Sequence, residues 1–101
     1  MMKISMNNML FSGKTLFELK ATHGLPLDIT INEVIIVRKM KITWDEYIEC
    51  ARINNWWDFQ IIDSIEIALQ DSGLEKDMIS EIINRTKLYM LKYIHPKMIN
   101  D

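Results

Sequence analysis

Gly24 and Pro26, two residues apart, decide where helix can and cannot run in this chain. Glycine takes the left-handed conformation that closes a helix at little steric cost. Pro26 fixes its own φ and pushes Leu25 out of α geometry, so no helix passes through 24–26. On the N-terminal side, Thr15-Leu-Phe-Glu18 has the T-x-x-E form of a capping box, with Leu16, Leu19 and the stem of Lys20 on one face of a short helix. On the far side, Thr30-Ile-Asn-Glu33 repeats that form, and Asp28 adds negative charge near the positive end of the new helix. The stretch 16–30 therefore reads as a helix–turn–helix corner. Capping by Thr30 is expected to contribute about 1 kcal/mol.

The rest of the chain reads as more helix. Residues 31–40 carry Ile31, Val34, Ile35, Ile36, Val37 and Met40, apolar on more than one face, as in a helix enclosed by its neighbours. The four β-branched residues 34–37 could also make a short buried strand. The capping box ahead of them, and the lack of an evident partner strand, decide for helix. Thr43-Trp-Asp-Glu46 is a third capping box, with Ile42 and Tyr47 placed as a hydrophobic staple and Trp44, Tyr47, Ile48 and Ala51 as the buried stripe. Asn54-Asn55 breaks that helix, and Asn55 is expected to cap the next, about 56–71, whose stripe is Ile61, Ile62, Ile65, Ala68 and Leu69. Gly73 should close it, and a last helix, about 75–94, should bury Ile79, Ile82, Ile83, Thr86, Tyr89 or Met90, and Tyr93 until Pro96 halts it. Ser5 could cap a short turn over 6–11, with Met9, Leu10 and Phe11 packed on the domain. The expectation is an all-α single domain over 1–101, a compact orthogonal bundle of four to five helices, with 1–12 and 97–101 poorly ordered.

The corner carries a resemblance. Leu16-Phe17-x-Leu19-x-x-Thr22-x-Gly24-x-Pro26-Leu27-Asp28-Ile29-Thr30 resembles a segment of the helical tRNA-recognition region of alanyl-tRNA synthetases. The likeness continues through Ile42, Tyr47 and Ala51, so it covers about residues 16–51, with one residue inserted between Thr30 and Ile42. Lys20, Ala21 and His23 depart from the family's Tyr, Asp and Tyr. The class II catalytic motifs and the His/Cys ligands of the editing domain are not in this sequence, so the resemblance implies RNA contact and no catalysis.

Composition sets outer bounds. An apolar share of 49% with 26% charged residues is globular, not disordered. The single Cys50 excludes an internal disulfide and suits a reducing compartment. Residues 1–10 mix Lys, Ser and Asn and do not read as a signal peptide, and the longest apolar run, 34–37, is far too short for a membrane span. A cytoplasmic protein with no membrane association is the expectation. Net charge is −2, unevenly spread: between 55 and 81, Asp58, Asp63, Glu66, Asp71, Glu75, Asp77 and Glu81 face Lys76 alone. That acidic block argues against a nucleic-acid face, which needs cations for phosphate.

No residue set reaches a catalytic, cofactor-binding or metal-ligating pattern. His23, His95 and Cys50 have no ligand spacing, and Cys50 on a helix reads as a small packing residue. Ser12-Gly-Lys-Thr15 echoes the end of a phosphate loop without the upstream glycine or strand, and a helix start is the better reading. Asp45, Glu46 and Glu49 look like a solvated edge. A DNA-reading pair of helices over 43–71 would offer carboxylates to the groove, which phosphate repels. Trp56 and Trp57 point about 100° apart on a helix, so either one is exposed as a binding anchor or both are buried beside Trp44.

The favoured expectation is a small non-catalytic accessory protein, fitting a phage or other mobile element, that acts by protein–protein contact and could inhibit a host nuclease. Its contact set would be Trp56, Trp57, Asp58, Gln60, Asp63 and Glu66. The alternative is a tRNA-binding module using Arg38, Lys39, Lys41, Arg52, Arg85 and Lys87 if these converge on one face. A structural homodimer built on the apolar surplus is the third. No cofactor is expected.

Overall fold

Each helix in this chain is short, so its stability rests on the apolar stripe it buries and on how its ends are satisfied. The structure, a computed structural model, describes residues 9–93. The expected turn at 6–11, the stop at Pro96 and the tail 97–101 therefore lie partly or wholly outside the described residues. The described residues form five α-helices: α1 (Gly13–Ala21), α2 (Leu27–Ile31), α3 (Trp44–Ile53), α4 (Asp58–Ser72) and α5 (Lys76–Lys92). A mostly helical bundle is thus correct. The departure is a pair of two-residue strands, β1 (Leu10–Phe11) and β2 (Lys41–Ile42), that run parallel with Leu10 opposite Lys41 and Phe11 opposite Ile42.

The corner sits where the sequence put it, but threonines do not start its helices. The N-cap of α1 is Ser12, whose Oγ accepts from the N–H groups of Lys14 (3.1 Å) and Thr15 (3.3 Å). Gly24 takes φ +68°, and the Leu25 N–H turns back to the Leu19 carbonyl at 3.0 Å. Pro26 is itself the N-cap of α2, so Asp28 falls in the first turn and Thr30 lies inside the helix. There the Thr30 hydroxyl donates to the Pro26 carbonyl at 3.4 Å, a within-helix contact that caps nothing. The proline wins because its fixed φ already suits the entry to a helix.

The helix expected over 31–40 changes pitch. α2 runs into a π-helical stretch, Asn32–Val37, which ends with Lys39 at φ +58° and the Met40 N–H bonded to the Val34 carbonyl at 3.0 Å. The wider turn leaves Val34 and Ile35 buried, Ile36 half-buried and Val37 59% exposed. The mixed apolar faces of that run reflect this extra residue per turn. The strand alternative is not realised at 34–37. The chain does find a strand just beyond, at β2, whose partner lies in residues expected to be poorly ordered.

The third capping box is drawn into tertiary structure. Thr43 precedes α3, but its hydroxyl accepts from the Gly13 N–H at 2.9 Å and donates to the Phe11 carbonyl at 3.5 Å. Glu46 accepts from the Ser12 hydroxyl at 2.8 Å. The starts of α1 and α3 are thereby clasped together. Gly13 is buried in that clasp, and a Cβ there would collide with the Thr43 carbonyl oxygen and the Tyr47 nitrogen.

α1 packs chiefly on α3, α2 on α4, and α4 on α5. Leu16, Ile31, Tyr47, Ile48, Ile61, Ile65, Leu69 and Thr86 are fully buried at the centre. Each such aliphatic side chain contributes on the order of 1.5–3 kcal/mol of transfer free energy. Phe17 and Trp44 meet the Tyr47 ring edge-on, with centroids 5.6 and 5.9 Å away. The α4 stripe is as expected, and Gly73 closes it at φ +93°. On α5, Ile83, Thr86 and Met90 are buried, while Tyr93 lies beyond the helix and is 48% exposed.

Candidate interaction surface

The bundle is tied at one end by a buried cation. Arg52, in the last turn of α3, is only 4% exposed. A guanidinium is stable there only if its N–H groups are filled. Its Nε and Nη2 donate to the two carboxylate oxygens of Asp58 at 3.0 and 2.9 Å, and Nη1 donates to the Tyr93 carbonyl at 2.6 Å. Glu49 lies 3.6 Å from Nη1 and also accepts from the Tyr89 hydroxyl at 2.6 Å. Burial, and then the Glu49 carboxylate, push the Tyr89 phenol well above its ordinary value, so the hydroxyl stays the donor. One arginine thus joins the end of α3, the start of α4 and the end of α5.

The turn that brings Arg52 to Asp58 is built by asparagine. Asn55 adopts φ +70°, its N–H bonds the Arg52 carbonyl and the Trp56 N–H bonds the Ala51 carbonyl, each at 3.0 Å. That pattern is a Schellman closure of α3, with Asn55 in the left-handed position. Asn55 therefore ends one helix and does not cap the next. α4 is capped at Trp57, whose N–H donates to the Gln60 side chain at 2.9 Å.

Large apolar side chains close in sequence to this node are exposed. Ile53 (76% exposed), Trp57 (44%), Phe59 (72%), Leu91 (77%) and Tyr93 (48%) all lie within two residues of Arg52, Asp58 or Tyr93. Phe59 also opens the outer face of α4, which continues through Asp63, Glu66, Ile67 and Gln70 at helical spacing. Ile67 on that face is 51% exposed. Among the described residues, Asp63, Glu66, Asp71, Glu75 and Asp77 form no ion pair, whereas Asp58, Glu33, Glu49 and Glu81 each have one. Residues 58–77 thus carry five carboxylates without an ion pair among the described residues, against Lys76 alone, with Phe59 and Ile67 exposed on α4.

The residues expected to contact a protein divide. Trp57, Gln60, Asp63 and Glu66 lie on this side of the molecule, with Gln60 engaged as the α4 cap. Trp56 is half-buried against the core, with Lys20 Nζ 4.7 Å from its ring centroid, so the exposed tryptophan is Trp57. Asp58 is taken up by Arg52 and is a structural group. Phe59, Ile53, Leu91 and Tyr93 were missed, because isolated apolar residues on a helix edge read as spare core.

The basic residues expected for RNA differ in how available they are. Arg52 is buried and bonded to Asp58 and the Tyr93 carbonyl, Arg38 pairs with Glu33 at 2.8 Å, and Arg85 lies 3.7 Å from Glu81. Lys39 is exposed in its left-handed turn, and Lys87 is exposed on α5. Lys41 and Arg85 line two clefts in common.

Chemistry elsewhere is quiet. The N–H groups of Gly13, Lys14, Thr15 and Leu16 are all bonded within the protein, so Ser12–Thr15 has no free amide cradle for phosphate. Cys50 is half-buried, and burial pushes its thiol up, away from the thiolate. Among the described residues no group of three or more His, Cys, Asp or Glu is placed to hold a metal ion, and no helix is long and apolar enough to cross a membrane. No family model, curated protein or solved structure matches the chain.

Proposed function

We propose that the protein works by binding another protein, without chemistry of its own, through the apolar end around Arg52 and the acidic outer face of α4. The observation that carries this reading is the exposure of Ile53, Trp57, Phe59, Leu91 and Tyr93, each within two positions of the residues that meet at Arg52. Large exposed apolar groups set in a charged frame are the pattern of binding anchors, and aromatic anchors dominate interface energy. The unpaired carboxylates favour a partner whose groove is apolar and rimmed by lysine and arginine. A nucleic-acid-processing enzyme has such a groove, so inhibition of a host nuclease by a phage or mobile-element protein is the concrete form of the proposal. RNA binding is less well supported, because Arg52 is buried and Arg38 and Arg85 each face a carboxylate.

The test is an affinity capture from extracts of the protein's own cells, comparing the wild type with Phe59→Ser/Leu91→Ser. Both side chains are over two-thirds exposed, so the variant should keep its helical circular dichroism. The wild type should retain a partner that the variant loses, and about 0.5 M salt should weaken the capture by screening the acidic face. A partner retained equally by both proteins, or none retained, overturns the proposal.

A further inference from the structure

On α5, away from the interaction surface, a cleft opens toward the β2–α3 junction. The left-handed Lys39 and the bond from Met40 to Val34 turn the chain so that Met40 packs against the core. Pairing with β1 then leaves Lys41 exposed and Ile42 buried. The resulting cleft has a volume of about 140 Å³, with Met40, Ile42, Trp44 and Ile82 among its walls and Lys41, Arg85 and Glu81 also lining it. A second cleft of about 340 Å³ shares Lys41, Ile42, Trp44 and Arg85, so both open along the same four residues.

Size and charge select the occupant. An enclosed apolar cavity of about 150 Å³ accommodates benzene; the smaller cleft, half open to solvent, has room for one six-membered ring with an edge toward water. Trp44 is held edge-on to Tyr47 and offers that ring an aromatic wall. Lys41, Arg85 and Glu81 give this cleft a local charge of +1, while Asp45 borders only the second cleft. Glu81 lies 3.7 Å from Arg85, but the two side chains are 66% and 76% exposed. Such an exposed pair contributes little, so Arg85 gives up little by turning to another carboxylate.

The geometry points to a binding site for a small aromatic carboxylate, with its ring against Trp44 and its carboxylate between Lys41 and Arg85. None of these residues belongs to the interaction surface, so this site stands or falls independently of the proposed function. The experiment is a two-dimensional amide NMR titration of the full chain with 3-phenylpropionate, and in parallel with the neutral 3-phenylpropanamide. Saturable shifts are expected at Met40–Trp44 and Glu81–Thr86, with the carboxylate bound about tenfold more tightly than the amide. Lys41→Gln and Arg85→Gln should each weaken the carboxylate about threefold or more, and Glu81→Gln should strengthen it. Lys41 and Arg85 are exposed, so these variants should keep the fold. No saturable shift below about 10 mM, equal affinity for acid and amide, or shifts mapping to another face would each overturn the assignment.

Discussion

Asp58→Asn removes one partner of a buried ion pair while preserving shape. Arg52 is 3% exposed at its side chain and Asp58 21%, with two N–H···O contacts of 3.0 and 2.9 Å between them. Breaking a fully buried pair in this way costs about 3–5 kcal/mol, because the surviving charge stays buried without its counter-ion. Three features of the site reduce that figure. Asp58 is partly solvated, the asparagine oxygen still accepts one N–H, and Glu49 and the Tyr93 carbonyl remain beside the guanidinium at 3.6 and 2.6 Å. The expected loss is therefore about 2–3 kcal/mol, which in a domain of this size lowers Tm by about 10–20 °C. Adding Arg52→Met to Asp58→Asn removes the stranded charge and should recover most of that loss. Thermal unfolding followed at 222 nm measures both. A fall below about 4 °C for the single variant, or a double variant less stable than the single one, would refute the reasoning.

Other predictions address the clasp and the corner. Gly13→Ala drives a Cβ into the Thr43 carbonyl and the Tyr47 nitrogen, both backbone, and should cost about 3 kcal/mol or more by denaturant titration. Gly24→Val meets no atom within 4 Å, so its cost of about 1–3 kcal/mol comes from φ +68° alone. Thr30→Ala should stay within about 0.5 kcal/mol of the wild type, since its hydroxyl makes only a 3.4 Å bond inside a helix. Ser12 above all holds the Glu46 carboxyl below its ordinary value of 4.5. A depressed carboxylate stabilises the fold above the unfolded value and loses that contribution as pH falls through the folded one. The Tm advantage of the wild type over Glu46→Gln should thus be full near pH 6 and shrink on acidification below about 4.5. An advantage that does not change with pH would contradict the clasp.

What the sequence made legible were features set by short-range periodicity. The α4 stripe, the left-handed glycines 24 and 73 and the break in helix at 24–26 follow from spacing and backbone freedom alone. The T-x-x-E patterns misled because capping is a competition. Ser12 stood three residues ahead of Thr15 as a better start, and Pro26 entered the helix before Thr30 could. Thr43 and Glu46 were free to reach across to the start of α1, 30 and 34 residues away in sequence, which no local pattern encodes. A π-helical turn leaves only a blurred stripe, and a two-residue strand has no alternation to detect. The interaction surface was half visible. Trp57 and the acidic run stood out, but the burial of Arg52 and the exposure of Ile53, Leu91 and Tyr93 are settled only once three helix ends meet. One signal was available: Arg52 and Asp58 flank an Asn-Asn turn at a distance suited to pairing across it.

The central claim, that the apolar end around Arg52 receives another protein, is tested most directly by photocrosslinking in the protein's own cells. A benzophenone amino acid replaces Phe59 in one variant and the exposed Lys39, on a different element, in the other. The account predicts a single discrete adduct at position 59, heavier by the mass of a different protein and absent at position 39. No adduct at 59, an adduct with a second copy of the chain, or equal labelling at both positions would contradict it.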